Sequence, residues 1–98
     1  MIINKKFEGE KLILVISGRL DTNSSPKLET ELRQSVGGIK ELVFDFSEVE
    51  YISSAGLRVL LAAQKVMNRQ GSMKLIGVSS EVMEVFEITG FSDILTIE

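Results

Sequence analysis

Asp45-Phe46-Ser47-Glu48-Val49-Glu50-Tyr51-Ile52-Ser53-Ser54-Ala55-Gly56-Leu57-Arg58-Val59-Leu60-Leu61 leaves a buried strand, crosses a short polar loop and enters a long helix with two serines at its start. The strand is Leu42-Val43-Phe44-Asp45-Phe46, and the helix runs from about Ser54 to Arg69 and stops near Gly71. At about 100° per residue, Gly56, Val59, Leu60, Ala63, Val66 and Met67 gather on one face, which is expected to pack on a sheet. Ser54, Arg58, Lys65 and Arg69 gather on the opposite, solvent-facing side. Leu57 and Leu61 lie on the shoulder beside Ser54, with Gln64 and Asn68. A hydroxyl thus sits on the outside of a first helical turn, next to apolar side chains and a basic stripe. Serines in such places are usually N-caps, and Ser53 fits that role. At Ser54, free amides and the helix dipole also favour an anion. A phosphoryl group there would add nearly two negative charges. Arg58, one turn on, is placed to pair with it. The added charge would disrupt a partner packed on Leu57 and Leu61, although burial under a neighbouring helix is the commoner fate of such leucines.

Outward from this passage, strands and helices alternate. Ile2 to Phe7 reads as an edge strand and Glu8-Gly9-Glu10-Lys11 as a tight turn into Leu12-Ile13-Leu14-Val15-Ile16. That second strand is apolar at every position, the pattern of a central strand covered on both faces. Ser25-Pro26 has the form of an N-cap followed by proline at the first helical position. Leu28, Leu32 and Val36 make a narrow inward stripe, and Gly37-Gly38 ends that helix. After the long helix, Met73 to Gly77 is a third inner strand. Ser79 or Ser80 caps a further helix, with Val82, Val85 and Phe86 inward and Gly90 closing it, and Leu95 to Ile97 forms a last strand. Alternation of this kind implies parallel pairing through crossover helices, apart from the first hairpin. The expected fold is α/β: a mixed, mostly parallel sheet with one antiparallel edge strand, flanked by helices, in a single domain over residues 1–98. Strand order stays open.

Composition narrows the function. The chain has 98 residues, 44% of them apolar and 26% charged, which suits one small globular core. A net charge of −3 argues against a nucleic-acid binder. Cysteine and histidine are absent, which removes disulfides and thiolate or imidazole metal sites. No cofactor is expected. The N-terminus lacks an apolar signal segment and Val59-Leu60-Leu61-Ala62-Ala63 is far too short to span a bilayer, so the expected location is cytoplasmic, without direct membrane contact. Enzyme chemistry finds little support, and no catalytic residue is assigned. Ser53-Ser54-Ala55-Gly56 is not a nucleophile elbow and no histidine is present to act as base. A nucleotide-binding module is the weaker alternative, since Gly37-Gly38 and Gly77 do not make a phosphate loop. Glu81, Glu84 and Glu87 form a solvated acidic face more readily than a cation site.

Ile52-Ser53-Ser54-Ala55-Gly56-Leu57, following Asp45-Phe46-Ser47, resembles the signature loop and helix start of STAS domains. Gly18-Arg19-Leu20-Asp21, Lys74-Leu75-Ile76-Gly77-Val78-Ser79, and Phe86 with Thr89-Gly90-Phe91 extend the resemblance over nearly the whole chain. In that family, single-domain members are anti-sigma factor antagonists. The resemblance implies that the unphosphorylated protein binds an anti-sigma factor that is also a serine kinase, and so releases a sigma factor. Phosphorylation inactivates the antagonist, and a serine phosphatase reverses it. By position, the phosphorylated serine falls on Ser54, and Asp21 matches an acidic residue near it. The partner-binding residues expected on this basis and from the helix wheel are Asp21, Ser53, Leu57, Arg58 and Leu61. Two positions depart from the family pattern: Ser53 stands where an acidic residue often precedes the serine, and Ala55 replaces the next hydroxyl. Ser53 is an alternative acceptor. Asp21 has an equal claim to be a turn or cap residue ahead of Asn23 and Ser25. A second reading makes the chain a non-switching STAS subunit of a transporter or signalling assembly.

Overall fold

The computed structural model describes Met1–Glu98. Strand β1 (Ile2–Glu8) turns into β2 (Lys11–Leu20) through Gly9-Glu10, with Gly9 at φ +62°. Glycine in first place with a positive φ is what a two-residue type II′ hairpin needs. Helix α1 (Ser25–Ser35), β3 (Glu41–Ile52), α2 (Ser54–Gln70), β4 (Ser72–Ile76) and α3 (Ser80–Thr89) follow, then a single 3₁₀ turn at Phe91–Asp93. The sheet order, which the sequence left open, is β1-β2-β3-β4; the pairing is antiparallel at β1–β2 and parallel elsewhere, as the alternation of elements implies. The expected last strand shrinks to one bridge, Leu75 to Ile97.

Two right-handed crossovers that step in the same direction across a sheet put both helices on the same side. Burial follows. Leu12, Leu14, Ile16, Leu42, Phe44, Phe46, Met73 and Leu75 are buried beneath the helices, whereas Ile13, Val15, Asp45, Lys74 and Ile76 on the other side are only half-buried. The all-apolar run in β2 therefore does not mark a strand covered on both faces. Only Val43 on the open face is buried. Phe86 of α3 joins the same core, with its ring 6.4 Å from that of Phe46.

Two boundaries and two burial assignments differ from expectation for local reasons. Ser24, not Ser25, holds the cap position of α1; Ser25 is buried and hydrogen-bonds back to the Asp21 carbonyl. Of the α1 stripe, Leu28 and Leu32 are buried and Val36 half-buried, while Val66 of α2 is partly exposed instead of packed on the sheet. The supposed loop Ser47–Ile52 is strand. Two register shifts against β2, between Val15 and Ser17 and between Gly18 and Arg19, keep it paired. Bulges break the two-residue alternation that marks a strand, so only Val49 and Ile52 there are buried. β3 consequently outruns β4, whose pairing ends at Asp45–Ile76, and delivers its chain directly into α2.

At the opposite end, Gly71 lies against the backbone of Lys40. A Cβ on Gly71 would come 1.9 Å from the Lys40 carbonyl oxygen. The Gln70 amide donates to the Val36 and Ile39 carbonyls at 2.8 and 2.7 Å, and Ser72 N–H to that of Lys40. The end of α2 and the loop before β3 are thereby stitched together.

Candidate functional site

Ser53 closes β3 in an extended conformation, φ −102° and ψ 176°, and its N–H donates to the Leu20 carbonyl at 2.9 Å. That bond ties the start of α2 to the end of β2. Gly56 makes the approach possible: a Cβ there would meet Leu20 Cγ at 2.8 Å and Ile52 Cγ1 at 2.9 Å. Ser53 occupies the expected N-cap position, but its hydroxyl caps nothing. The Oγ is buried and has no hydrogen-bond partner. The first turn of α2 also contains no acidic residue. The amides that any helix leaves unpaired at its start therefore receive no side-chain oxygen here. Ser54 is exposed at the first helical position, at the positive end of the dipole.

Arg58, one turn below Ser54, is exposed and makes no ion pair. With Ala55 and Val59 it lines a cleft of about 260 Å³ shared with Thr22, Ser25, Pro26 and Glu29 of the α1 start. Leu61 is half-buried. Leu57 is not on the shoulder. It is 7% exposed and belongs to the core, which removes it as a partner contact. The wheel misplaced it because α2 sinks on that side as well, burying Gln64 too.

Asp21 serves the beginning of α1. Its Oδ1 accepts the N–H groups of Asn23 and Ser24, both at 3.0 Å, and the Ser24 hydroxyl. Ser24 Oγ in turn accepts the Asp21 N–H, and its single proton is shared between that carboxylate, at 3.1 Å, and the Arg19 carbonyl, at 2.6 Å. These bonds hold the Asp21 carboxyl below the usual carboxylate range. The Ser24 amide has the largest effect; desolvation comes next and opposes it, and the Ser24 hydroxyl, Asn23 amide and Arg19 charge each add a smaller lowering. Asp21 lines a different depression from Arg58, beside Gly18, Arg19 and Lys27, and none of its hydrogen bonds reaches Ser54. The turn-residue reading is the one its bonds support.

Arg19 and Tyr51 escape a reading of the sequence. They are register partners on β2 and β3, and the Arg19 guanidinium lies over the Tyr51 ring, 4.1 Å from its centre. Tyr51 is 40% exposed two residues before Ser53, so the pair offers an aromatic and cationic rim near the helix start. Their pairing depends on the second bulge, which no periodicity announces. Glu81, Glu84 and Glu87 do not converge on a point where an ion would be held.

A mixed sheet with its helices on one face, presenting an uncapped helix start with an exposed serine, defines a small α/β domain organised around one helix end. The chain belongs to the STAS domain family, whose profile matches residues 2–98. It is 35% identical over 98 residues to the anti-sigma-B factor antagonist of Listeria monocytogenes, covering 96% of this chain and 84% of that protein. The structure resembles an anti-sigma factor antagonist from Mycobacterium paratuberculosis (TM-score 0.88, 21% identity, 98% of this chain and 83% of the other). It also resembles the Bacillus cell fate determinant SpoIIAA in its phosphorylated form (TM-score 0.77, 15% identity, 99% and 91%). At such identities these two likenesses are of fold. No helix is long and apolar enough to cross a membrane.

Proposed function

We propose that this protein is an anti-sigma factor antagonist that acts by reversible binding, and that Ser54 is the phosphoacceptor that switches it off. The carrying observation is the start of α2: an exposed hydroxyl at the first helical position, unpaired amides behind it, no carboxylate in the turn, and a free Arg58 one turn on. A phosphate on Ser54 would meet the helix dipole and Arg58 favourably, so the fold tolerates it. A partner seated on the same turn would not, because it would have to desolvate nearly two added charges. Ser53 is the poorer acceptor, since its buried Oγ is out of a kinase's reach. The binding face consists of Ser54, Arg58 and Leu61 with the Arg19–Tyr51 rim. The partner is an anti-sigma factor with serine kinase activity, and a serine phosphatase restores the unmodified form.

Titration calorimetry against the anti-sigma factor kinase encoded in the same genome tests this. The unmodified chain is expected to bind. Incubation with ATP should add one phosphate, located to Ser54 by mass spectrometry, and abolish binding. Unchanged affinity of the phosphorylated chain overturns the switch.

A further inference from the structure

We infer that the groove between α1 and α2 receives helix α3 of a second copy of this chain. Helix α2 carries Arg58, Lys65 and Arg69 and no acidic residue, in a chain whose net charge is −3. With Ala62 these cations fall at spacings of four, three and four, which makes a single ridge. None of the three has a carboxylate within ion-pair distance. Alongside the ridge runs an apolar groove of about 280 Å³, walled by Leu32 of α1, by Val36 just past its end, and by Val59, Ala62 and Val66 of α2. Arg33 on its far rim is already held by Glu29 at 2.9 Å.

Helix α3 is the complement. It contains Glu81, Glu84 and Glu87 and no basic residue. Val82 and Phe86 face the core, which puts Glu81, Glu84 and Ile88 together on the outward ridge at spacings of three and four. Ile88 is 79% exposed, more than any other large apolar side chain here, and neither glutamate is paired. An apolar knob between carboxylates thus matches an apolar groove beside cations. A bilayer is a poor alternative occupant, because the apolar side chains line a concavity that a flat surface cannot fill. The contact joins two different surfaces, so copies add head to tail. One helix in a short groove buries little area, so the association is weak and reversible. This inference does not depend on Ser54 or on the proposed switch.

Sedimentation equilibrium of the purified chain provides the test. At low salt the weight-average mass should rise above the monomer as concentration approaches about 1 mM. It should fall back in 1 M NaCl, where the screening length is about 3 Å. The double variants Lys65→Glu/Arg69→Glu and Glu81→Lys/Glu84→Lys should each remain monomeric, and an equal mixture of the two should regain the wild-type association. Ile88→Ser, which changes no charge, should shift the concentration dependence upward by several-fold. Circular dichroism checks that the variants fold; should a charge variant unfold, the salt series and Ile88→Ser still decide. A wild type that is monomeric throughout overturns the proposal, whatever other partner binds the groove. So does association that survives in both charge variants, or a mixture that stays monomeric.

Discussion

The two crossover helices begin in opposite ways. Helix α1 starts in a closed knot: Asp21, Asn23, Ser24 and Ser25 satisfy one another, and although the first turn of α1 itself holds no acid, the Asp21 carboxylate sits in the turn just ahead of it. Helix α2 starts open, with the Ser53 hydroxyl idle, no acid in the first turn and Ser54 facing solvent. Both starts follow a strand end of the same sheet, so the difference lies in a few side chains and not in architecture. A helix start with a carboxylate in the turn just ahead of it has little use for another anion. One that lacks it is where an added phosphate gains most.

The largest effect expected from breaking this contrast is on binding. Ser54→Asp should leave the fold intact and weaken partner binding by about 2–5 kcal/mol, the cost of an unpaired charge buried in an interface. The same calorimetric titration reads it, and Ser54→Ala should stay within error of wild type. Next in size, Gly56→Ala should cost about 1–3 kcal/mol of stability by urea unfolding, because the methyl group meets Leu20 and Ile52 below 3 Å. An unchanged midpoint would mean that α2 is not pressed onto the end of β2. A smaller effect of opposite sign is expected at the open start: Ser53→Asp should stabilise by about 0.5–1 kcal/mol, since it provides the missing cap. A lower melting temperature would show that the buried Oγ site refuses a carboxylate.

The smallest signal concerns the closed start. The Asp21 carboxyl is held below its ordinary range by the Ser24 amide above all. Its contribution is therefore fully present above the unfolded-state value near 3.9 and is lost as pH falls through the lower folded-state value. Comparing wild type with Asp21→Asn across pH 2 to 5 should show their stabilities converging as the solution becomes more acid. Parallel curves would mean that the carboxylate does not hold the turn.

The strands were readable from the order of apolar runs, because β2 carries an unbroken hydrophobic stretch, those of β3 and β4 are interrupted only by Asp45 and Lys74, and Gly9, Gly71 and Gly90 mark where elements stop. The length of β3 was not, since bulged pairing hides its last six residues behind loop-like polarity. Ser54 and Arg58 are exposed on the outer side of α2, where a simple wheel puts them, and Leu61, assigned to the shoulder, is half-buried. The wheel failed for Leu57 because it assumes one buried side, and α2 is buried over a wider arc. Asp21 illustrates a different limit: an aspartate that supports a turn and one that supports a neighbouring site look alike in one dimension. Only the hydrogen-bond partners separate them.

The clamp at Gly71 and Lys40 also sets how a signal at Ser54 can be read. Helix α2 is a strut of 17 residues whose far end is fixed by backbone contact and by two bonds from Gln70. A strut held in this way, with its near end tied to β2 through Ser53, neither slides nor tilts when a charge is added at its exposed tip. The message is written on the surface where it arrives, and a reporter dye on β4 should remain silent while the tip changes state.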